Sequence, residues 1–294
     1  MSGADGITVI IPAYNSQDTI ERAISSCSGL DGCRIIVVDD GSVDSTAGVA
    51  RAAGAEVLRQ TNSGASVARQ TGLRAATSEF IVFLDADDEL IPAGVLESVR
   101  ILNRQPSAGV AAGTVIGILP NGRERLLQRT YTVVNTKELL SKGFGPWPPA
   151  ASVIRRETLS KTESLDIPGL GTRFAEDYEM LIRLSLAGHV IMHDSPSTRY
   201  RLFAGKSSKA PIKAIEDKES IRRYYAESLR WPVALMNGAE IAAAASMRAA
   251  RSSAANGAWV STAGWLLRSV ASSPSLMVRK LFGRLAAFRT TPGT

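Results

Sequence analysis

The sequence predicts an α/β fold built on a doubly wound sheet, with a helical extension at its C-terminal end. Three observations carry this. Apolar runs of about five residues alternate with stretches of helical periodicity through the first hundred residues, which is the pattern of successive βαβ units. The runs are apolar throughout, as strands buried on both faces of a parallel sheet are. Three of the four runs end in polar residues, at Tyr14-Asn15, Asp39-Asp40 and Asp85-Ala86-Asp87-Asp88. In open sheets of this kind ligands bind beyond the carboxyl ends of the strands.

Each element has a local reason. Ile7-Thr8-Val9-Ile10-Ile11 is β-branched throughout and stops at Pro12. Arg34-Ile35-Ile36-Val37-Val38 stops at Asp39-Asp40-Gly41, Glu56-Val57-Leu58 is a weaker third run, and Phe80-Ile81-Val82-Phe83-Leu84 stops at Asp85. Between them, residues 19–28 carry Ile20, Ala23, Ile24 and Cys27 at helical spacing, and residues 45–53 follow Asp44, an N-cap type. Residues 66–76 put Val67, Thr71 and Ala75 on one stripe, and Pro92 marks a helix start ahead of Leu96, Val99 and Leu102. Beyond residue 108 the pattern is mixed. Two apolar segments, 108–119 and 125–134, flank the turn sequence Pro120-Asn121-Gly122-Arg123 and predict a hairpin. Residues 143–149 form a loop that can expose Trp147, residues 174–186 predict a helix, Val190-Ile191-Met192 a strand, and residues 213–229 a charged surface helix. The domain boundary is expected near residue 210, leaving 211–294 as the helical extension.

Charge is unevenly placed. The chain has 294 residues and a net charge of +6. Residues 231–294 hold seven basic residues and one acid, Glu240, which is the whole excess; the first 230 residues balance. A balanced body argues against nucleic acid as a partner. No secretory signal is evident at the N-terminus, and the uncharged stretch 252–267 falls short of roughly 20 apolar residues, so it is not a spanning helix. Cytoplasmic residence is therefore expected, with Cys27 and Cys33 as reduced thiols. With His189 and His193 they could complete four zinc ligands only by convergence of distant segments, and small buried thiols are the favoured reading. Residues 276–289 could form a basic amphipathic stripe (Leu276, Leu281, Phe282, Leu285 and Phe288 with Arg279, Lys280 and Arg284). Such a stripe suits either the anionic inner face of a membrane or packing on protein.

Four constellations bear chemistry. Asp85 and Asp87, two apart after a buried strand, can point into one crevice, and Mg²⁺ or Mn²⁺ is held by one or two carboxylates plus substrate phosphates. The bland alternative is that Asp87 or Asp88 caps the helix near Pro92. Asp39 or Asp40 can accept from a nucleobase or a ribose hydroxyl, where a strand–turn signal alone would need only Gly41 and Asp44. Arg69, about two turns into a helix starting at the crevice, can meet phosphate or base, or be an ordinary exposed Arg. Glu176-Asp177 opens a helix, where the macrodipole favours ionised carboxylates; one facing the crevice could act as general base.

The run Ile11-Pro12-Ala13-Tyr14-Asn15, then VVDDGSVD, NSGASVARQTG, FLDADD and AEDYEMLIRL, resembles the family 2 glycosyltransferases of GT-A fold, with order and spacing matching over residues 7–205. That resemblance implies a mixed, mostly parallel sheet flanked by helices. It implies transfer of a sugar from a nucleoside diphosphate, a UDP-sugar, to a saccharide or lipid-linked acceptor in polysaccharide or glycolipid synthesis. It implies Pro12, Ala13, Tyr14 and Asn15 around the base, Asp39 or Asp40 on it, Arg69 and Ala86 beside the nucleotide, and Asp85 on the ribose. Asp87, with Asp85, would hold a divalent Mn²⁺ or Mg²⁺, and Asp177, aided by Glu176, would be the base of an inverting single displacement. Trp147, Arg201 and Lys206 would face acceptor or phosphate. Phe203 stands where many relatives carry a His, so Arg201 and Lys206 would supply the positive charge there. Two other readings share the fold: a nucleotide-sugar-binding protein without transfer, and a sugar nucleotidyltransferase. The latter favours a Gly-rich basic loop after the first strand, where this chain has Pro12-Ala13-Tyr14-Asn15.

Overall fold

The computed structural model describes residues 6–128, 131–172, 174–202, 210–276 and 278. The chain divides into two compact units, Met1–Ile118 with Arg123–Gly169 and Glu176–Arg201, and Leu119–Gly122 with Leu170–Ala175 and Leu202–Thr294.

The first unit holds β1 (Ile7–Ala13), α1 (Ile20–Ser25), β2 (Arg34–Asp39), α2 (Thr46–Ala52), β3 (Glu56–Arg59), α3 (Ala65–Ala75), β4 (Phe80–Phe83), β5 (Glu89–Leu90) and α4 (Pro92–Arg104). It continues with β6 (Ala108–Ile118), β7 (Glu124–Leu127), α5 (Thr136–Lys142), a 3-10 turn at Pro149–Ala151, β8 (Ser152–Arg155), α6 (Arg156–Glu163), α7 (Glu176–Ala187) and β9 (His189–Arg201). The strands lie in the order β3-β2-β1-β4-β8-β6-β9-β5, with β7 on β6. β3, β2, β1 and β4 are parallel. β8 is antiparallel to both β4 and β6, and β9 returns parallel to β6.

The continuous apolar runs have the cause expected of them. Alternate β1 residues Ile7, Val9 and Ile11 pack with α1 and α4 through Ile20, Ala23, Val95 and Val99. Ile10, with Ile36 and Ile81 of its neighbours, packs on the other face against Ala68 of α3, Leu159 of α6 and Leu184 of α7. Successive strand side chains point to opposite faces, so a strand covered on both sides is almost wholly apolar; in β1 the buried Thr8 hydroxyl donates to Ser78 Oγ at 2.8 Å. Helix approach is close enough to require glycine. A Cβ at Gly72 of α3 would lie 2.4 Å from Ile10 Cγ2, and one at Gly94 of α4 would lie 2.0 Å from the Pro196 carbonyl oxygen in β9.

The hairpin forms, with Ile118 opposite Glu124, but β7 ends at Leu127, short of the expected residue 134. β9 is far longer than Val190-Ile191-Met192 because it pairs along β6, with irregularities that accommodate Pro196. The helix expected over 174–186 begins at Glu176.

The second unit holds α8 (Pro211–Ser228), α9 (Gly238–Ala255) and α10 (Trp259–Ser272). Asn237 and Glu240 form a capping box at the start of α9. A buried Arg222–Glu219 pair at 2.6 Å also binds the Met236 N–H and the Ala234 carbonyl, fastening the α8–α9 connection to α8. No helix among the described residues is long and apolar enough to cross a membrane.

Candidate active site

The site assembles where strand order reverses about β1, with β2 on one side and β4 on the other. Pro12 and Ala13 end β1 and are buried, Tyr14 follows exposed, and Asn15 adopts φ 50°, a left-handed turn that Asn tolerates. Asn15 ties the first loop to the second: its N–H donates to Ser42 Oγ at 2.9 Å and its Oδ1 accepts from the Val43 N–H at 3.0 Å. Asp44 accepts from the Thr46 N–H at 3.0 Å, so the helix start is capped by this residue and not by Ser45.

Asp39 and Asp40 are both buried. Asp39 accepts from the Ser42 N–H at 2.9 Å and pairs with Arg59 at 3.3 Å. Asp40 accepts from Gln60 Nε2, from the Ser63 N–H and from the Gly64 N–H, all within 2.9 Å. The last two donors lie at the entry to α3. Asp40 thus acts at a distance as the carboxylate that α3's first turn attracts, and it aims the helix whose Arg69 reaches the site. In this structure the loops, not solvent, occupy both carboxylates; sequence spacing cannot display that closure.

Arg69 is buried and donates to Asp85 Oδ1 at 2.7 Å. Burial works against its charge, and Asp85, Glu176 and Asp177 more than offset this, raising its pKa. Asp85-Ala86-Asp87-Asp88 forms a turn closed by the Asp88 N–H on the Asp85 carbonyl. Asp88 is buried and accepts from the Arg201 N–H at 2.9 Å, while Arg201 Nε donates to the Asp87 carbonyl at 3.0 Å. The end of β9 is thereby pinned to the acidic turn. Burial, then Asp85 and Asp87, push the Asp88 carboxyl up to about 9. Asp87 is raised by burial and by Asp85, against the pull of Arg201 and Arg22.

Glu176 and Asp177 open α7 and feel Arg69 and Asp85, so the two ends of the sequence motif set share one field. The Asp177 side chain is open to solvent, yet the surrounding protein desolvates it enough to raise its pKa. Tyr200 is raised by burial and then by Asp88, Asp85, Asp177 and Asp87. Arg69, Asp85, Asp87, Glu176, Asp177 and Arg201 are therefore brought together. The sequence reading missed Asp88, Tyr200 and Arg22, the last paired with Glu89 at 2.8 Å. Asp88 had a signal in the contiguous DADD run; Arg22 had none, because it arrives from α1 across the fold.

The acids outnumber the arginines facing them, and such a surplus favours a divalent cation. Among the described residues no three His, Cys, Asp or Glu side chains converge as a full metal cage. The fit is to the other mode, one or two carboxylates completed by substrate phosphates: within the turn Asp85 is paired with Arg69 and Asp88 with the Arg201 N–H, and Asp87 is the third acid.

Trp147, expected to be exposed, is buried, with an indole N–H lacking a hydrogen-bond partner. Its loop lies against α7: a Cβ at Gly145 would meet Leu181 Cδ1 at 2.8 Å, one turn beyond Asp177. His193 bonds Ser98 Oγ at 2.7 Å, and Cys27 and Cys33 are free thiols, the former pushed up to about 12 by burial and by Cys33. Lys206 and Phe203 lie outside the described residues.

Known proteins were compared with this chain. The profile of glycosyl transferase family 2 matches residues 8–162. The pre-mycofactocin glycosyltransferase of Mycobacterium tuberculosis is 30% identical over 194 residues, covering 62% of this chain and 39% of that protein. The chain thus spans well under half of that relative's length. The succinoglycan biosynthesis protein ExoO of Rhizobium meliloti is 28% identical over 253 residues, 76% of this chain and 70% of that one. Among solved structures, S. aureus TarS 1-349 in complex with UDP-GlcNAc superposes with a TM-score of 0.55 at 18% identity, over 88% of this chain and 89% of that chain. Glucosyl-3-phosphoglycerate synthase from Mycobacterium tuberculosis, in complex with Mn²⁺, uridine-diphosphate and phosphoglyceric acid, gives 0.52 at 22% identity over 77% and 79%. At these identities the likeness establishes the GT-A-type fold.

Proposed function

This chain belongs to glycosyl transferase family 2, and from that membership we propose that it moves a sugar from UDP to a hydroxyl of a saccharide or lipid-linked acceptor, with inversion. One observation carries the reading: Arg69, Asp85, Asp87, Glu176 and Asp177, spread over more than a hundred residues, act on one another at the carboxyl edge of the sheet. The acidic turn and the Arg69–Asp85 pair suit a nucleoside diphosphate, and the solved relatives binding UDP-GlcNAc or UDP with Mn²⁺ support that donor class.

Tyr14, exposed at the end of β1, gives the base an aromatic face, with Pro12, Ala13 and Asn15 beneath it. Asp39 and Asp40 shape the two loops at the base edge. Asp85, oriented by Arg69, takes the ribose, and Ala86 keeps the turn narrow. Asp87, with Asp85, would hold Mn²⁺ or Mg²⁺, which when bound neutralises charge on the departing diphosphate. Asp177 accepts the proton of the acceptor hydroxyl as its oxygen bonds to the anomeric carbon and the bond to the diphosphate breaks. Glu176 keeps that end of the site acidic, and Arg201 and Lys206 supply positive charge. The acceptor wall includes the Trp147 loop. ExoO's printed role in succinoglycan biosynthesis favours a polysaccharide setting. We read residues 1–210 as the catalytic domain and the extension as a peripheral contact with the inner face of the membrane.

The test is a thermal-shift panel of nucleotide sugars with and without Mn²⁺. A UDP-sugar should raise the midpoint only when Mn²⁺ is present, by mass action on the folded state. A midpoint unmoved by every nucleotide sugar would overturn the reading.

A further inference from the structure

α10 is inverted relative to an ordinary surface helix. At about 100° per residue, Leu266, Trp259, Val270, Ala263, Leu267 and Val260 follow one another around the helix over roughly 120°, a continuous apolar stripe. This stripe faces out: Trp259 is 70% exposed, Val260 90% and Leu267 72%. The less exposed face carries Thr262, Ser269 and Ser272 with a half-buried Trp265 among them. Ser269 is fully buried there and donates to the Ala243 carbonyl of α9 at 2.8 Å. A wide exposed apolar stripe marks an interaction surface.

Charge decides what covers it. From Ile241 to Thr294 the sequence contains no acidic residue and seven basic ones, Arg248, Arg251, Arg268, Arg279, Lys280, Arg284 and Arg289. Arg268 is exposed on the side of the helix away from the stripe, its guanidinium 5.1 Å from the Trp265 ring. A second copy would bring an equally basic segment against this one, whereas an anionic lipid surface complements it. A helix with an exposed apolar face and a tryptophan, in a segment of basic charge, lies in the headgroup plane. Its 14 residues are too few to span.

We propose that α10 is a membrane-docking element, seating Trp259, Val260, Leu266, Leu267 and Val270 in an anionic bilayer surface that the basic C-terminal sequence complements. This deepens the reading of the extension as a membrane contact, moves the contact from the stripe expected at 276–289 to α10, and does not depend on sugar transfer.

The experiment is co-sedimentation of the full chain with vesicles of phosphatidylcholine alone and of phosphatidylcholine with phosphatidylglycerol. The chain should bind the anionic vesicles, and V260E/L267E should bind them about ten-fold or more weakly with an unchanged circular dichroism spectrum, since both side chains are exposed. Arg268→Ala, which keeps the apolar face, and truncation after residue 276, which removes four of the seven basic residues, should each weaken binding less than V260E/L267E does. The proposal is overturned if V260E/L267E binds anionic vesicles like the parent, or if the parent binds neither vesicle. It is also overturned if the parent is a dimer that V260E/L267E dissociates without vesicle binding, which would seat a second copy on the stripe. A nucleotide-sugar thermal shift in the same preparations reads the transferase function separately.

Discussion

At the scale of single residues, burial and like charge decide the chemistry. Asp177 is raised above the ordinary aspartate value of 3.8 by desolvation, so the acidic limb of the kcat/KM profile should lie above that value, because only the ionised form accepts a proton. Asp177→Asn should lower kcat by roughly 10²- to 10⁴-fold while nucleotide affinity changes little; turnover near the parental rate would place the base elsewhere. Asp87→Ala should abolish the Mn²⁺-dependent part of nucleotide affinity in a titration, and unaltered metal dependence would assign the ligand to another acid. Asp88 has a different consequence. Its folded carboxyl, pushed from 3.8 to about 9, holds a proton that the unfolded chain releases. The folded state binds more protons between those values, so this group's contribution to stability falls as pH rises through them. Asp88→Asn keeps an acceptor for the Arg201 N–H, and its metal-free melting temperature should fall less than the parent's between pH 5 and pH 8. The DADD and ED motifs were legible in sequence. That Asp88 is buried under Arg201 while Asp177 stays open was not, since the same residue type occupies both places and only the neighbours differ.

At the scale of elements, the close approaches set what each helix tolerates. Gly94 and Gly48 both sit in helices, and a Cβ at Gly94 would meet Pro196 backbone atoms at 2.0 and 2.5 Å, whereas at Gly48 it meets nothing within 4 Å. Gly94→Ala must push β9 off α4 and should destabilise by roughly 3 kcal/mol, about 6–12 °C in Tm. Gly48→Ala should instead stabilise by roughly 0.5–1 kcal/mol through helix propensity. Thermal unfolding of the pair checks both signs. Four strands and the helices of the first hundred residues were readable to within a residue or two, except that α1 stops at Ser25, because period and burial agree there; the two-residue β5 was not, since only its pairing with β9 makes it a strand. β7 and β9 were misjudged in length, since a strand's extent depends on its partner: β6 sustains β9 through Arg201, and nothing in the local pattern at 193–201 announces it. Trp147 is buried, which the local GFGPWPP pattern does not announce.

At the scale of the whole molecule, the basic excess belongs to the second unit's sequence and the acidic cluster to the first. UDP-sugar and Mn²⁺ should therefore raise the calorimetric midpoint of the unit carrying Asp87 and Asp177, because a ligand stabilises what it binds; an unmoved midpoint would contradict this. By itself the sequence determined the α/β class, the strand ends that bear acids, the family resemblance and the charge of the C-terminal region, for each is written in local pattern or composition. Only tertiary structure decided that Asp40 serves α3, that Arg69 is spent on Asp85, and that α10 turns its apolar side outward. Those are contacts between segments far apart in the chain, and periodicity states which face of a helix is apolar without stating where that face points.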